Sequence, residues 1–258
     1  MSAEELREAV IAPGRLWREI RVVAETGSTN SDLLADARRG LPEGAVLAAE
    51  AQSAGRGRLG RDWVAPPRAA LTFSVLLRPA AVPPARRGWV PLLAGVAVVG
   101  ALRQDAGVDA RLKWPNDVQV NGAKLAGILA EQVGDAIVVG AGINVSTRRD
   151  ELPVSGATSL ALEGAAVTDR DRLLAGVLRE LERWYRAWTD RAGDAAESGL
   201  AVEYRRLCAT LGRQVVVSLP SGQTMTGKAD EIDDLGRLVI GSPEGPVPIS
   251  AGDVVHVR

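Results

Sequence analysis

The chain has 258 residues, of which 46% are hydrophobic and 24% are charged, as in an ordinary globular protein. A net charge of −1 excludes a global basic field for nucleic acid, so any attraction for anions must come from a local cluster. A single cysteine, Cys208, excludes an intrachain disulfide, and a single histidine, His256, argues against histidine catalysis and multi-histidine metal sites. The acidic start does not match a signal peptide, and no apolar run approaches the roughly 20 residues of a membrane helix. We therefore expect a cytoplasmic protein.

The first part of the chain alternates helix and strand signals. Ser2 and Glu5 form an S-x-x-E capping box, which predicts a short helix that ends by Pro13-Gly14. Gly40 is a predicted C-cap for the second helix. In chain order we expect a strand at 21–25, a helix at 30–39, a strand at 45–51, a loop at 52–63, a strand at 71–77 and a buried helix at 89–106.

The second part carries one strong turn signal and a change of character near its end. Asn121-Gly122 lies between alternating apolar residues, which predicts a type I′ hairpin within 111–132. A strand at 137–145 and helices at 169–190 and 196–211 follow. Five short strands after Gln214 then indicate a small barrel or sandwich. These patterns predict a domain boundary at 211, with domains at 1–211 and 212–258.

A loop rich in glycine and arginine follows the strand at 45–51. Gly55–Gly60 matches the dinucleotide fingerprint G-x-G-x-x-G, but Pro66-Pro67 shortly after it prevents the required helix. The loop instead suits an anion, because glycine permits close backbone approach and arginine binds phosphate or carboxylate. We expect it to be mobile without a ligand. Two alternatives remain, a solvated arginine loop and an RG-type contact with nucleic acid.

Four other short segments are ambiguous when taken singly. The sequence KWPND at 113–117 is equally an ordinary turn beside a strand, and Lys124 after the hairpin is equally a solvated edge lysine. The two glycines of GAGIN at 140–144 indicate either a bulge or a close approach by a ligand. Residues 28–30 most simply cap a helix, although a helix N-terminus also offers donors to a polar ligand.

Taken in order, these segments closely resemble the biotin protein ligase family. The matching blocks are ETGSTN at 25–30, AEAQSAGRGRLGRDW at 49–63, LKWPNDVQVNGAKLAGILAE at 112–131 and VVGAGINV at 138–145. The resemblance implies an α+β fold, a mixed β-sheet with flanking helices, related to class II aminoacyl-tRNA synthetases and lipoate ligases. It also implies that the domain after 211 is an SH3-like β-barrel.

The same resemblance implies roles for individual residues. Lys124 and Arg58 correspond to catalytic positions. Lys124 matches the lysine beside the reacting carboxylate and the α-phosphate, and Arg58 matches the loop that folds over biotin and its adenylate. Asp117 corresponds to a position that could help hold Mg²⁺, mainly through ATP phosphates. The biotin-binding residues implied are Ser28, Thr29, Asn30, Gln52, Arg56, Gly57, Arg58 and Lys124. The nucleotide-binding residues implied are Arg58, Arg61, Trp63, Asn116, Lys124, Gly142 and Asn144.

The implied activity is ATP-dependent formation of biotinyl-AMP, followed by transfer of biotin to a lysine of a biotin carboxyl carrier protein. The substrates and cofactors would be biotin, ATP and Mg²⁺. Only about 25 residues precede the GSTN block, too few for the winged helix-turn-helix of the family's repressors, so a single-function ligase without DNA binding is expected. We expect a monomer or weak homodimer. A lipoate ligase and a non-enzymatic nucleic-acid module are the rival readings.

Overall fold

The computed structural model describes residues 1–257, which form two β-sheets and five α-helices. The helices are α1 (Ala3–Val10), α2 (Thr29–Arg38), α3 (Val90–Ala101), α4 (Arg170–Thr189) and α5 (Leu200–Leu207). The strands of the large sheet are β1 (Glu19–Val23), β2 (Ala45–Ala49), β3 (Ala70–Leu77), β4 (Arg111–Lys113), β5 (Asp117–Val120), β6 (Ala123–Val133) and β7 (Ala136–Asn144). The strands of the small sheet are β8 (Gln214–Ser218), β9 (Thr224–Ile232), β10 (Leu238–Ser242), β11 (Gly245–Ile249) and β12 (Asp253–His256).

The large sheet is mixed, as the family resemblance implies. Its strand order is β1-β2-β3-β7-β6-β5-β4. The β1–β2 pair is parallel, and the other neighbours are antiparallel. Helices cover both faces, because the strands alternate between two apolar clusters. Leu47 and Val138 pack with α2 on one face, whereas Val46 and Val139 join the main core on the other.

Helix α3 is the centre of the main core. It packs on α4 and on β6, and almost every position is buried, which explains why it is apolar on all sides. The segment Pro84–Ala106 is long and apolar enough to span a membrane, but 67% of its most apolar window is buried within the fold. This burial identifies α3 as a core helix.

All five predicted helices are present, with shifted ends. Ser2 caps α1 by accepting a hydrogen bond from the Glu5 backbone N–H, but α1 ends at Val10, before Pro13-Gly14. The helix predicted over 89–106 changes at Leu102 into one π turn that ends at Gly107, whose φ is +71°. The helix predicted over 196–211 begins only at Leu200, because Gly199 has a left-handed φ of +77°.

The predicted hairpin turn is confirmed. Asn121 and Gly122 have φ values of +52° and +81°, and they join β5 to β6, as a type I′ turn requires. Lys124 follows directly on β6. Since β6 lies between β5 and β7, the interpretation of Lys124 as a solvated edge residue is wrong.

The small sheet corrects one detail of the predicted SH3-like barrel. Its strand order is β11-β10-β9-β8-β12, and within residues 1–257 the two end strands are not paired, so the barrel is not closed. Strand β12 is only four residues long, and its residues Asp253–Val255 line a cavity of the large domain. Within the sheet, β12 pairs with β8 alone.

The small sheet is joined to the large domain through two tryptophans. The indole N–H of Trp89 donates to the Asp234 carbonyl at 2.9 Å, and that of Trp114 donates to the Gly236 carbonyl at 3.4 Å. A methyl group at Gly88 would lie 2.6 Å from the Leu235 carbonyl oxygen, so the two backbones meet closely. The β9–β10 turn is thus fixed beside the KWPND segment.

Candidate active site

A cavity of about 390 Å³ opens on the α2 face of the large sheet. The arginine loop and strand β12 complete its wall. The structure brings together all but one of the residues expected at the site. Those that line the cavity are Ser28, Thr29, Asn30, Gln52, Arg56, Gly57, Arg58, Arg61, Trp63, Asn116, Asp117, Lys124 and Gly142.

Glycines form the floor of the cavity. Gly142 and Gly140 lie on the same face of β7 as Val138, which packs under α2. A methyl group at Gly142 would lie 2.3 Å from Trp63 Cε2, and one at Gly140 would lie 2.2 Å from Asn30 Oδ1. Because β7 pairs with both neighbours without a register shift, these glycines serve close approach and not a bulge.

The N-terminus of α2 supplies a buried polar group of side chains. Ser28 caps the helix by accepting from the Ser31 N–H at 3.4 Å, and it also lines the cavity. Thr29 and Asn30 are buried, with 2% and 4% exposure. The Gln52 Oε1 accepts the Thr29 backbone N–H at 2.8 Å. The capping role and the cavity position therefore coexist at residues 28–30.

The arginine loop is folded over the cavity by polar contacts. Gly57 N–H donates to the Arg61 carbonyl at 2.6 Å, and Trp63 N–H donates to the Gly55 carbonyl at 2.9 Å, so the loop closes on itself. Each arginine reaches a different element. Arg56 binds Glu131 at 2.7 Å, Arg58 donates to the Asn116 Oδ1 at 3.0 Å, and Arg61 pairs with Asp253.

Arg58 is the most enclosed of the three arginines. Burial lowers the pKa of its guanidinium, and the nearby Asp117 carboxylate opposes that effect. The group remains a cation at neutral pH, because arginine is not deprotonated in proteins. An enclosed cation attracts phosphate or carboxylate more strongly than a solvated one, since less water screens it.

The KWPND segment is held rigidly beside the loop. Trp114 is 2% exposed, and its backbone N–H donates to the Thr210 hydroxyl at 3.1 Å. Asn116 is fixed by two bonds to Ile128, one through its side chain at 3.1 Å and one through its carbonyl at 2.9 Å. The site positions of this segment therefore rest on strand β6 and on Thr210.

Lys124 projects into the cavity from a regular strand. Its Nζ lies 2.7 Å from the Asp117 Oδ1, and its side chain is 38% exposed. The Lys124 backbone N–H donates to the Gly156 carbonyl, and its carbonyl accepts from Thr158, both at 2.8 Å. Lys124 is thus a preorganised cation with one carboxylate partner.

The cavity offers a small set of oxygen donors for Mg²⁺. In the described part of the chain, no group of three or more His, Cys, Asp or Glu side chains is placed to hold a metal ion. The cavity does contain the Asp117 carboxylate and the Asn116 amide. Mg²⁺ is typically bound by one or two carboxylates with substrate phosphates and water supplying the rest, so these residues fit a metal that arrives with a nucleotide.

Asn144 is the one expected site residue that does not line the cavity. It lies at the end of β7, is 5% exposed, and donates through Nδ2 to the Thr158 carbonyl at 2.9 Å. Thr158 also binds the backbone of Lys124. In this structure Asn144 supports the strand that carries Lys124.

Several residues that line the cavity or lie beneath it were missed at the sequence level. Ser74, within the apolar strand LTFSVLL, is fully buried, and a lone hydroxyl in such a strand is the signal that could have indicated it. Asp253–Val255 belong to a small β-domain whose alternating pattern gives no hint of a distant cavity. Their contribution depends on tertiary packing alone.

Two family models match the chain. The Biotin/lipoate A/B protein ligase family matches residues 22–147, and the Biotin protein ligase C terminal domain matches residues 210–257. A biotin--[acetyl-CoA-carboxylase] ligase of Mycobacterium tuberculosis is 45% identical over 262 residues, covering 100% of this chain and 96% of the relative. One of the same name from Paracoccus denitrificans is 35% identical, covering 90% and 98%.

Solved structures agree with this similarity. A biotin protein ligase from Aquifex aeolicus, in complex with biotin and ATP, is 29% identical with a TM-score of 0.77. That match covers 94% of this chain and 100% of the Aquifex chain. The similarity therefore includes both domains.

Proposed function

The chain belongs to the biotin protein ligase family, in the class of biotin–[acetyl-CoA-carboxylase] ligases, and we propose that it makes biotinyl-AMP from biotin and ATP. We further propose that it passes the biotinyl group to a lysine of a biotin carboxyl carrier domain. The relatives' names and the Aquifex complex support the substrates. Division at residue 211, a cytoplasmic location, a monomer or weak homodimer and an absence of nucleic-acid binding are part of the same proposal.

The observation that carries this function is the layout of the cavity across four strands. Thr72 on β3 pairs with Gly142 on β7, Gly142 pairs with Gly127 on β6, and Gly127 pairs with Asp117 on β5. Three strand spacings amount to roughly 14 Å. Neutral polar groups on β3 and α2 occupy one end, and the cations with Asp117 occupy the other. An elongated ligand with a polar ring and a carboxylate fits this polarity.

In the first step the biotin carboxylate oxygen attacks the α-phosphorus of ATP. The new P–O bond forms as the bond to the bridging oxygen breaks, and pyrophosphate leaves with the electron pair. Both reactants are anionic, so positioning and positive charge contribute most. Arg58 and Lys124 supply that charge. Asp117 and Asn116 would hold Mg²⁺ on the nucleotide, where the ion neutralises phosphate charge.

The nucleotide is placed by residues at the loop end of the cavity. The Trp63 indole packs closely against Gly142, with its N–H buried and without a protein partner in the described residues. An aromatic face and a free donor suit a nucleotide. Arg61 at the mouth is 62% exposed on its side chain and can exchange Asp253 for phosphate.

In the second step a neutral lysine amine of the carrier attacks the acyl carbon of biotinyl-AMP. The amide bond forms, AMP leaves with the acyl oxygen, and the amine proton passes to solvent. No nucleophile from the ligase is required, which agrees with the chain's single cysteine and single histidine. The folded arginine loop excludes water from the reactive intermediate.

Exchange of labelled pyrophosphate into ATP tests the first step. The matching family includes lipoate ligases, so biotin and lipoate are compared at equal concentrations. Biotin-dependent exchange with little lipoate-dependent exchange is expected. Lipoate-dependent exchange alone would identify the rival ligase, and absence of both, with salt-dependent binding of an oligonucleotide, would favour the nucleic-acid module.

A further inference from the structure

A buried hydrogen-bond chain runs beneath the candidate biotin end of the cavity. Thr29 Oγ1 lies 2.7 Å from Ser74 Oγ, and the Ser74 hydroxyl donates to Asn30 Oδ1 at 2.6 Å. Asn30 Nδ2 then donates to Glu131 Oε2 at 2.9 Å. Ser74 is 0% exposed, so it has no water to replace these partners.

The direction of each hydrogen bond in this hydrogen-bond chain follows from the donors and acceptors that meet there. Asn30 Nδ2 faces two acceptors, Glu131 and the Leu129 carbonyl, so Asn30 Oδ1 must accept from Ser74. Ser74 has one proton and donates it to Asn30, so Ser74 accepts from the Thr29 hydroxyl. Ser74 lies at 2.7 Å, closer than the other acceptor within reach of that hydroxyl, Gln52 Oε1 at 3.1 Å. Glu131 is the acceptor on which the chain ends.

This direction decides what the cavity offers to a ligand. The Thr29 hydroxyl keeps its lone pairs free, because its proton points to Ser74. The Gln52 Oε1 is occupied by the Thr29 backbone N–H, and Gln52 Nε2 forms no hydrogen bond within residues 1–257. An acceptor on Thr29 and a donor on Gln52 complement a cyclic urea, which has N–H donors beside a carbonyl acceptor.

The far end of the chain reaches the arginine loop. The second oxygen of Glu131 accepts from Arg56 at 2.7 Å, and Arg56 also donates to the Ser31 hydroxyl at 3.2 Å. One carboxylate thus joins the buried chain to the loop.

We propose that Ser74 is a positioning residue that sets hydrogen-bond polarity at the biotin ring, through a chain that ends on Glu131 and holds Arg56. The proposal rests on the proposed function, since it assigns the cyclic urea to this end of the cavity. The strand position of Ser74 has little room for a larger group, because a methyl group at Gly140 would lie 3.1 Å from its hydroxyl oxygen.

The test is a double-mutant cycle of Ser74→Ala and Glu131→Gln, read as KM for biotin, KM for ATP and kcat in pyrophosphate exchange. Loss of one oriented hydrogen bond predicts a rise of roughly tenfold in KM for biotin for Ser74→Ala, with KM for ATP unchanged. The double variant should raise KM for biotin by less than the product of the single effects, because both residues act through one chain.

Ser159→Ala is the matched control. Ser159 is also 0% exposed and donates one bond, to the Thr147 carbonyl at 2.7 Å, but Thr147 does not line the cavity, whereas the Ser74 partners Thr29 and Asn30 do. The Ser159→Ala variant should lose thermal stability, as Ser74→Ala does, and should keep the parental KM for biotin. Parental KM for biotin in Ser74→Ala, an equal rise in both KM values, or multiplicative effects in the double variant would overturn the proposal. Parental protein without biotin-dependent exchange would instead contradict the proposed function.

Discussion

At the scale of single residues, Lys124 is the most informative side chain. Its ammonium sits 2.7 Å from Asp117 on an interior strand, where negative charge would gather as the P–O bond forms. Lys124→Gln keeps much of the length and removes the charge. Loss of one preorganised donor costs on the order of 3–4 kcal/mol, or roughly 100- to 1000-fold in rate. We expect that loss in biotin-dependent pyrophosphate exchange.

Measuring the free energy of unfolding distinguishes this loss of catalysis from misfolding. The Lys124–Asp117 pair is partly exposed, so its loss should change the free energy of unfolding by less than about 1 kcal/mol. Lys228→Gln is a matched control, because Lys228 also lies on a strand, is 57% exposed and is 4.0 Å from Asp230. A Lys124→Gln protein with parental exchange would show that the adenylation site lies elsewhere.

His256 gives a second prediction at this scale. Burial, with help from the positive charges of Lys113 and Arg213, lowers its pKa from 6.5 to about 4. Both folded and unfolded chains carry a neutral imidazole above pH 6.5, so the full stability is present there. Between pH 6.5 and 4 the unfolded state binds the proton first, and stability falls.

The measurement is a proton NMR titration, which is simple because the chain has one histidine. We expect the His256 ring resonance to titrate near pH 4 in the folded protein and His256→Asn to reduce the loss of stability between pH 6.5 and 4. Titration near pH 6.5 would mean that the ring is solvated and that its 3.1 Å contact with Thr210 is not maintained.

At the residue scale, the role of a residue was predictable from sequence where its residue type has few roles. The hairpin turn was predictable because only the type I′ geometry suits Asn121-Gly122. The roles of Ser74 and Glu131 were not predictable. A serine within an apolar strand has many ordinary roles, and so does an acid at the end of an apolar run such as LAGILA. Asn144 belongs to a block that matches the family, yet its side chain points to the Thr158 carbonyl.

At the scale of elements, the arginine loop is the segment of the site that we expect to open and close. Its contacts with Glu131, Asn116 and Asp253 are single polar contacts near solvent, and Leu59 at its tip is 57% exposed. Few apolar contacts make local opening inexpensive. We expect trypsin to cut at the loop arginines in the free protein and to be slowed by biotin with ATP.

Cleavage in the exposed loop at Arg148, whose side chain is 68% exposed, serves as the internal control. Its rate should not depend on the ligands. Equal cutting of the arginine loop with and without biotin and ATP would count against its closing role.

The sequence pattern predicted which segments are helices and which are strands. It did not predict where they begin and end, because the ends depend on local backbone geometry. Residue 199 illustrates this point, because a glycine with a left-handed φ starts α5 four residues later than periodicity indicates. The loop at 52–63 was recognised by exclusion, since Pro66-Pro67 prevents the helix that a dinucleotide site needs.

At the scale of the whole molecule, the small domain helps to build the cavity. Thr210, directly before the small domain, is fully buried, accepts the Trp114 backbone N–H and contacts His256 of the small domain at 3.1 Å. It therefore fixes the start of the KWPND segment against that domain. Thr210→Val preserves volume and leaves that N–H unpaired, at a cost of about 1–3 kcal/mol. We expect a raised KM for ATP in pyrophosphate exchange as well as lower stability.

Thr147→Val provides the comparison. Thr147 is 1% exposed and donates to the Ala69 carbonyl at 3.3 Å, but it does not line the cavity. It should lower stability and leave KM for ATP unchanged. The same kinetic behaviour in both variants would show that the contact of Thr210 with Trp114 and the small domain does not support the nucleotide site.

Domain order was predictable from sequence because each strand and helix carries its own periodicity, whereas the mixed sheet was implied by the family resemblance. The junction between the domains was not predictable. Arg61 and Asp253 are separated by most of the chain, and no local pattern links a glycine-rich loop to the start of a four-residue strand. The open edge of the small sheet was missed for the same reason.

The central claim is that this chain transfers biotin to one lysine of a carrier. The most direct measurement is the intact mass of a purified biotin carboxyl carrier domain after incubation with the protein, biotin, ATP and Mg²⁺. The account predicts the mass gain of one biotinyl group, dependent on ATP and lost when the carrier's target lysine is replaced by arginine. A folded protein that leaves the carrier unmodified, or that modifies it without ATP, would contradict the account.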